Sequence, residues 1–300
     1  MNLPFEYDQV AVSEFGGTTS TPTDFENARV VILPVPLDRT TSYVAGTRNG
    51  PREILLASSH MELWDEEMQT DVHSIGIVTL PEMELPFGTM EEVVCEIGRV
   101  ANEIIARGKF PVVLGGEHSV TPPVVAALAA KHAGLSVLQL DAHADLRDRF
   151  MGTPYSHACA MRRVLDYARG TQVGIRSLSP EETAAAATLP TTIFYDFNMR
   201  DERNWMDRVV DSLSETVYVT IDVDGFDPAI MPATGTPEPG GLGWYETLAL
   251  LRRVIERRTV VGCDIVELSP IAGNVAPNFM CAKLLYKILS YRFRNDVGQR

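Results

Sequence analysis

Four apolar runs in this chain each end directly in a cluster of histidine, aspartate or glutamate. Pro111–Leu114 leads into Gly115-Gly116-Glu117-His118, and Ser136–Leu140 into Asp141-Ala142-His143-Ala144-Asp145. Thr216–Ile221 leads into Asp222-Val223-Asp224-Gly225-Phe226-Asp227, and Thr259–Val266 into Glu267. Short, near-continuous Val/Ile/Leu runs are what a strand covered on both faces of a parallel sheet requires. Val30–Pro34, Ser74–Thr79, Gln172–Arg176 and Thr191–Tyr195 read the same way. Helical patterns lie between the runs. Met90–Arg107 carries apolar residues at Met90, Val93, Val94, Ile97, Val100, Ala101, Ile104 and Ile105, and it stops at Gly108. Ser119–Lys131, Asp201–Ser212, Trp244–Arg257 and Pro277–Tyr291 are further expected helices. This alternation predicts a three-layer α/β/α fold built on an open parallel sheet.

No repeat, linker or low-complexity tract divides the chain. Residues 1–27, with Gly16-Gly17 and a Thr/Ser stretch to Thr23, read as an extended arm, and residues 28–300 as one catalytic domain. No apolar run approaches the roughly 18–20 residues that cross a bilayer, and the N-terminus lacks the pattern of a secretory signal. Cys95, Cys159, Cys263 and Cys281 are scattered, with no C-x-x-C pair, and fit thiols of a reducing cytoplasm. The net charge of −14 argues against nucleic acid and favours a cationic ligand.

In open parallel sheets, sites form at the carboxyl ends of the strands, so four clusters at four such ends can share one crevice. Asp141, His143 and Asp145 are spaced two apart, as are Asp222 and Asp224, which would put each set on one face of an extended chain. His118, Asp141, His143, Asp145, Asp222 and Asp224 are the candidate metal ligands: two imidazoles and four carboxylates. Four crowded carboxylates repel one another unless cations or protons sit among them, and two divalent ions balance their charge. The thiol-free, oxygen-rich set favours manganese over a structural zinc. Two such ions about 3.5–4 Å apart can share an activated water. Read singly, each motif is less telling: D-x-H-x-D also suits a hydrogen-bonded loop, and D-x-D-G a turn. Their common place at strand ends carries the metal reading.

At these residues the sequence resembles the arginase/agmatinase (ureohydrolase) family. The runs Gly115–Ser119, Asp141–Asp145 and Asp222–Pro228, the last followed by Pro232–Pro237 and Gly240-Gly241, resemble its three metal motifs. Gly46–Arg52 and Gly174–Ser177 resemble further family segments. The resemblance runs from about Val30 onward and implies an eight-stranded parallel sheet, two manganese ions per subunit and a homotrimer or homohexamer. It also implies that His157, in Tyr155–Arg163, is the active-site histidine, and that Glu267, in Asp264–Pro270, binds the guanidinium. Both roles suit the chemistry. A guanidinium is a permanent planar cation that a carboxylate can hold by paired hydrogen bonds, and a histidine near neutrality can protonate the departing amine.

The resemblance is greatest to bacterial agmatinases. Arg147 stands where arginases have a substrate-reading asparagine, and the arginase-type Ser-Gly-Asn run is missing. Hydrolysis of agmatine to putrescine and urea is the expected reaction. Arg147 would instead suit a carboxylate-bearing substrate such as guanidinobutyrate or formiminoglutamate, and arginine is a further alternative. A deacetylase on a similar fold fits poorly, because no His-His pair occurs among the six histidines. A non-catalytic metal- or polyamine-binding relative has no need of the full acid–base set.

Overall fold

The computed structural model describes residues 4–7, 9–10, 14–17 and 24–297; the Thr/Ser stretch expected to be an extended arm lies outside them. Eight strands form one parallel sheet: β1 (Val30–Val35), β2 (Ile77–Thr79), β3 (Phe110–Gly115), β4 (Ser136–Leu140), β5 (Arg169–Ile175), β6 (Thr191–Tyr195), β7 (Thr216–Asp222) and β8 (Thr259–Val266). Their order across the sheet is β2-β1-β3-β8-β7-β4-β5-β6. The alternation of side chains along β1 explains the three layers. Val30 and Ile32 join the core on one face of the sheet, while Val31, Leu33 and Val35 join the core on the other.

Helices Gly50–Ser58, Trp205–Ser212, Trp244–Arg257 and Ala276–Phe293 cover the first face; Met90–Ala106, Thr121–Lys131 and Ala160–Val164 cover the second. The helix Met90–Ala106 shows how local chemistry and burial cooperate. Thr89 and Glu92 form a reciprocal cap that satisfies two backbone N–H groups at its start. Val93, Ile97, Val100, Ala101, Ile104 and Ile105 are buried along its inner stripe. Each larger side chain contributes about 1.5–3 kcal/mol by leaving water, so truncating Ile97 to Ala costs about 2–5 kcal/mol once the cavity is counted.

The register decides where the polar clusters fall. Leu114 pairs with Ile265, Ile265 with Ile221, and Ile221 with Leu140. These four residues form one row across the adjacent strands β3, β8, β7 and β4. The next residue of each strand starts the segment that carries its cluster, so all four clusters leave the sheet at the same level, within about 15 Å.

Several elements differ from the sequence reading. Of Ser74–Thr79, only Ile77–Thr79 pairs as a strand. Val72–Ile75 turns as a 3₁₀ helix because the Asp71 carboxylate accepts the His73 N–H, and Gly76 takes φ +90°. The helix expected from Asp201 begins at Trp205, and the last helix is longer than expected, Ala276–Phe293. Gly50–Ser58 and Pro180–Ala186 are helices too short for apolar periodicity to reveal. Phe15 and Phe25, from the segment read as an arm, are buried. No helix among the described residues is long and apolar enough to cross a membrane.

Candidate metal centre and active site

All six candidate ligands meet at the carboxyl ends of β3, β7 and β4, and they form two groups that share Asp141. His118, Asp141 and Asp145 offer ligand atoms within 4.8 Å of one another, and so do Asp141, His143 and Asp224. Asp222 joins the first group, its Oδ2 3.3 Å from His118 Nδ1. The trio Asp141, His143 and Asp145 therefore does not face one way, as an extended chain would have it. Asp145 has φ +52°, a left-handed conformation that L residues adopt at a cost of about 1–3 kcal/mol. That bend sends Asp145 to the first group while His143 serves the second.

Two glycines let the segments approach. A Cβ on Gly225 would stand 2.8 Å from the Asp141 backbone nitrogen, and one on Gly116 would stand 1.8 Å from the Leu37 carbonyl oxygen. Neither position accepts a side chain. The Gly in D-x-D-G is thus a close-packing residue that brings the Asp222–Asp224 segment against Asp141.

The electrostatics of the cluster follow from crowding four carboxylates and two imidazoles into a buried space. His118 Nδ1 is buried and makes no hydrogen bond, although Asp141 Oδ2, Asp145 Oδ2 and Asp222 Oδ2 stand 3.2, 3.2 and 3.3 Å away. The nitrogen points among three oxygens rather than at one of them. Burial and the neighbouring Asp224 charge push the Asp141 carboxyl up to about 8, and the same two causes hold Asp222 well above the carboxylate range. Burial opposes protonation of His143, but Asp224 outweighs it and raises the imidazole to about 11. Asp224 is lowered to about 2 because His143 outweighs its burial. Without cations the cluster must hold protons between its acids to limit their repulsion. Convergent imidazole nitrogen and carboxylate oxygen, with no thiol, fit a pair of divalent cations, and His118, Asp141, His143, Asp145, Asp222 and Asp224 are the residues that would hold them.

Beside the cluster, Glu267 Oε1 accepts the His118 N–H at 2.7 Å and stands 3.4 Å from His157 Nδ1. Glu267 also has a left-handed backbone, φ +64°. Burial opposes protonation of His157, and Glu267 outweighs it, raising the imidazole to about 9. His157 Nε2 is buried without a hydrogen-bond partner among the described residues. A buried polar atom left free in this way marks a place where a reacting group can bind.

Supporting residues emerge that sequence reasoning did not single out. Thr220 Oγ1 stands 2.9 Å from His118 Nε2 and orients that ring from below. Its position two residues before Asp222 is the signal that could have found it, since the two share a strand face. Thr236 Oγ1 donates to Asp224 Oδ2 at 3.3 Å. Glu117 is not a candidate ligand: its buried carboxylate accepts the N–H groups of Arg39 and Thr40 and the hydroxyls of Thr40 and Ser119. Thr40 Oγ1 in turn accepts the His157 N–H at 3.0 Å. Asp227 also stays outside the cluster, capping a turn through the Ala229 N–H. Arg147 pairs with Glu182 at 3.7 Å and lies over the Phe150 ring.

The Arginase family model matches residues 28–290. The chain is 40% identical to the N(1)-aminopropylagmatine ureohydrolase of Synechocystis sp. over 90% of each chain. It is 36% identical to the agmatinase of Pyrococcus horikoshii, covering 90% of this chain and 94% of the relative. The agmatine ureohydrolase of Thermoplasma volcanium superposes with a TM-score of 0.84 at 33% identity, covering 98% of this chain and 97% of that one. The arginase of Bacillus caldovelox shares the fold at a TM-score of 0.76, 20% identity and 87% and 98% coverage. With its sheet order, its shared-aspartate cluster and these relatives, the chain belongs to the arginase family of metal-dependent ureohydrolases, which act on the C–N bonds of linear amidines.

Proposed function

We propose that this chain hydrolyses the guanidinium of agmatine, giving putrescine and urea, with two manganese ions held by His118, Asp141, His143, Asp145, Asp222 and Asp224. The observation that carries the proposal is the convergence of two ligand groups on Asp141 beside the Glu267–His157 pair. The two cations, when bound, lower the pKa of a water and so supply the nucleophile that a resonance-stabilised guanidinium demands. The chain's own residues do the rest. Glu267 holds the guanidinium by charge-assisted hydrogen bonds and fixes its plane. His157, whose protonated form Glu267 favours against burial, is placed to carry a proton for the departing amine on Nε2.

Arg147 bears on the choice of substrate. Its pairing with Glu182 and its stacking on Phe150 leave its charge engaged within the protein, which weighs against a role in reading a substrate carboxylate. That favours agmatine over arginine, guanidinobutyrate and formiminoglutamate. A second reading has a specific basis: relatives 40% and 36% identical carry the name N(1)-aminopropylagmatine ureohydrolase. On that substrate the products are spermidine and urea. By family resemblance the assembly is a homotrimer or homohexamer, and the four free cysteines suit the cytoplasm.

A urea-release assay with manganese across agmatine, N1-aminopropylagmatine, arginine and guanidinobutyrate tests the proposal, with formiminoglutamate scored by formamide. Agmatine or its aminopropyl derivative should give the highest kcat/KM. Preference for a carboxylate-bearing compound would return Arg147 to the site, and no turnover of any of them would leave a binding protein.

A further inference from the structure

We infer that the Glu238 carboxylate receives the substrate's second cationic centre, the amine at the end remote from the guanidinium. This rests on the hydrolase reading above and adds to it the residue that recognises a diamine or polyamine tail.

Glu238 is placed with unusual firmness for a loop residue. The Arg176 guanidinium donates to its carbonyl oxygen at 3.0 Å, and the same group donates to the carbonyls of Gly174, Asp224, Gly225 and Phe226. One fork therefore ties the Glu238 backbone to the segment that carries the candidate ligand Asp224. Two residues earlier, Thr236 donates to Asp224 Oδ2. The backbone is fixed, while the side chain stays available. Among the described residues the Glu238 carboxylate accepts no hydrogen bond; its nearest ion-pair partner is His143 Nε2, at 3.9 Å.

Position and chemistry point the same way. His143 turns Nδ1 toward Asp224, 2.9 Å away, and Nε2 toward Glu238, so Glu238 lies one imidazole width outward from the metal cluster. Both side chains are partly exposed, 26% and 35%, and border the solvent side of the site. The adjoining loop brings apolar surface: Tyr43 and Val44 are exposed, and the Val44 carbonyl stands 2.9 Å from where a Cβ on Gly235 would be. In this arrangement the guanidinium would sit at Glu267, its polymethylene chain would leave the metal cluster past His143, and the amine would reach Glu238. A carboxylate on a fixed backbone, with no hydrogen bond of its own among the described residues and only a 3.9 Å contact to His143, suits an ammonium group, because the backbone needs no ordering on binding.

The competing role is orientation of His143 by its outer nitrogen, common around metal sites. Glu238→Gln separates the two. The substrate is agmatine or N1-aminopropylagmatine, whichever turns over faster, and the probe is n-butylguanidine, which keeps the four-carbon guanidino chain common to both but has no amine, used as a competitive inhibitor. Loss of a charged hydrogen bond at the tail should raise KM for the amine-bearing substrate about tenfold or more while Ki for n-butylguanidine stays within about threefold. Manganese affinity, measured by competition titration, should stay within about threefold. An equal change in KM and Ki, an unchanged KM, or a fall in manganese affinity of about tenfold would each overturn the inference. Wild-type protein that releases no urea from either amine would overturn both this inference and the proposed function.

Discussion

Glu267 and His157 share a contact of 3.4 Å between Oε1 and Nδ1, although they lie far apart in the chain. The same Glu267 oxygen accepts the His118 N–H, so one carboxylate oxygen links the histidine expected to move protons to the segment that carries the candidate ligand His118. The left-handed backbone at Glu267 is the local cost of that placement.

Glu267→Gln should therefore do two things. Guanidinium binding should weaken by about 1.5–3 kcal/mol, seen as a rise in KM or a fall in kcat/KM. Because Glu267 is the charge that lifts His157 to about 9, its removal should lower the histidine's pKa toward the usual 6.5. Titration of the His157 ring by NMR checks the second effect; a pKa left at about 9 would separate the two residues.

Metal binding should release protons, and affinity should grow with pH. In the metal-free cluster Asp141 keeps its proton up to about pH 8 and His143 up to about pH 11. Manganese must displace both at neutral pH, so affinity rises as pH climbs from 6 to 8. The metal-free protein should also lose stability across the Asp141 window, from about 4 to about 8, because its folded state binds the extra proton there. Calorimetry in buffers of different ionisation enthalpy counts the protons, and metal analysis should give about two ions per chain. A pH-independent affinity would contradict this charge scheme.

Asp224→Ala should reduce kcat by more than the 10–100-fold typical of losing a residue behind a metal ligand. The change removes a candidate ligand oxygen and also the acceptors of the Ala142 N–H and the Thr236 hydroxyl. A near-wild-type rate, with both metals retained, would remove Asp224 from the centre.

Arg176→Ala should cost on the order of 2–4 kcal/mol of stability, since five backbone carbonyls lose a charged donor. Arg176→Lys should recover only part of it, because an ammonium cannot reproduce the fork. Thermal unfolding of both variants measures the difference. Full recovery with Lys would mean that charge alone, not fork geometry, secures the loop.

Much of this protein can be read without coordinates. Continuous Val/Ile/Leu runs demand burial on both faces, and polar clusters at their ends locate a crevice, because a parallel sheet gathers strand ends on one side. The candidate site residues His118, Asp141, His143, Asp145, His157, Asp222, Asp224 and Glu267 could all be singled out in that way or through the family motifs. Three-dimensional packing decided what local patterns cannot carry. Strand order places β3, β8, β7 and β4 side by side, and their register aligns Leu114, Ile265, Ile221 and Leu140. A left-handed turn at Asp145 splits the D-x-H-x-D trio between two groups. Hydrogen bonds between distant segments recruit Thr220, Glu117 and Arg176 to supporting roles. Side-chain periodicity is a property of a few consecutive residues, whereas contacts between strands and loops depend on which segments the fold makes neighbours.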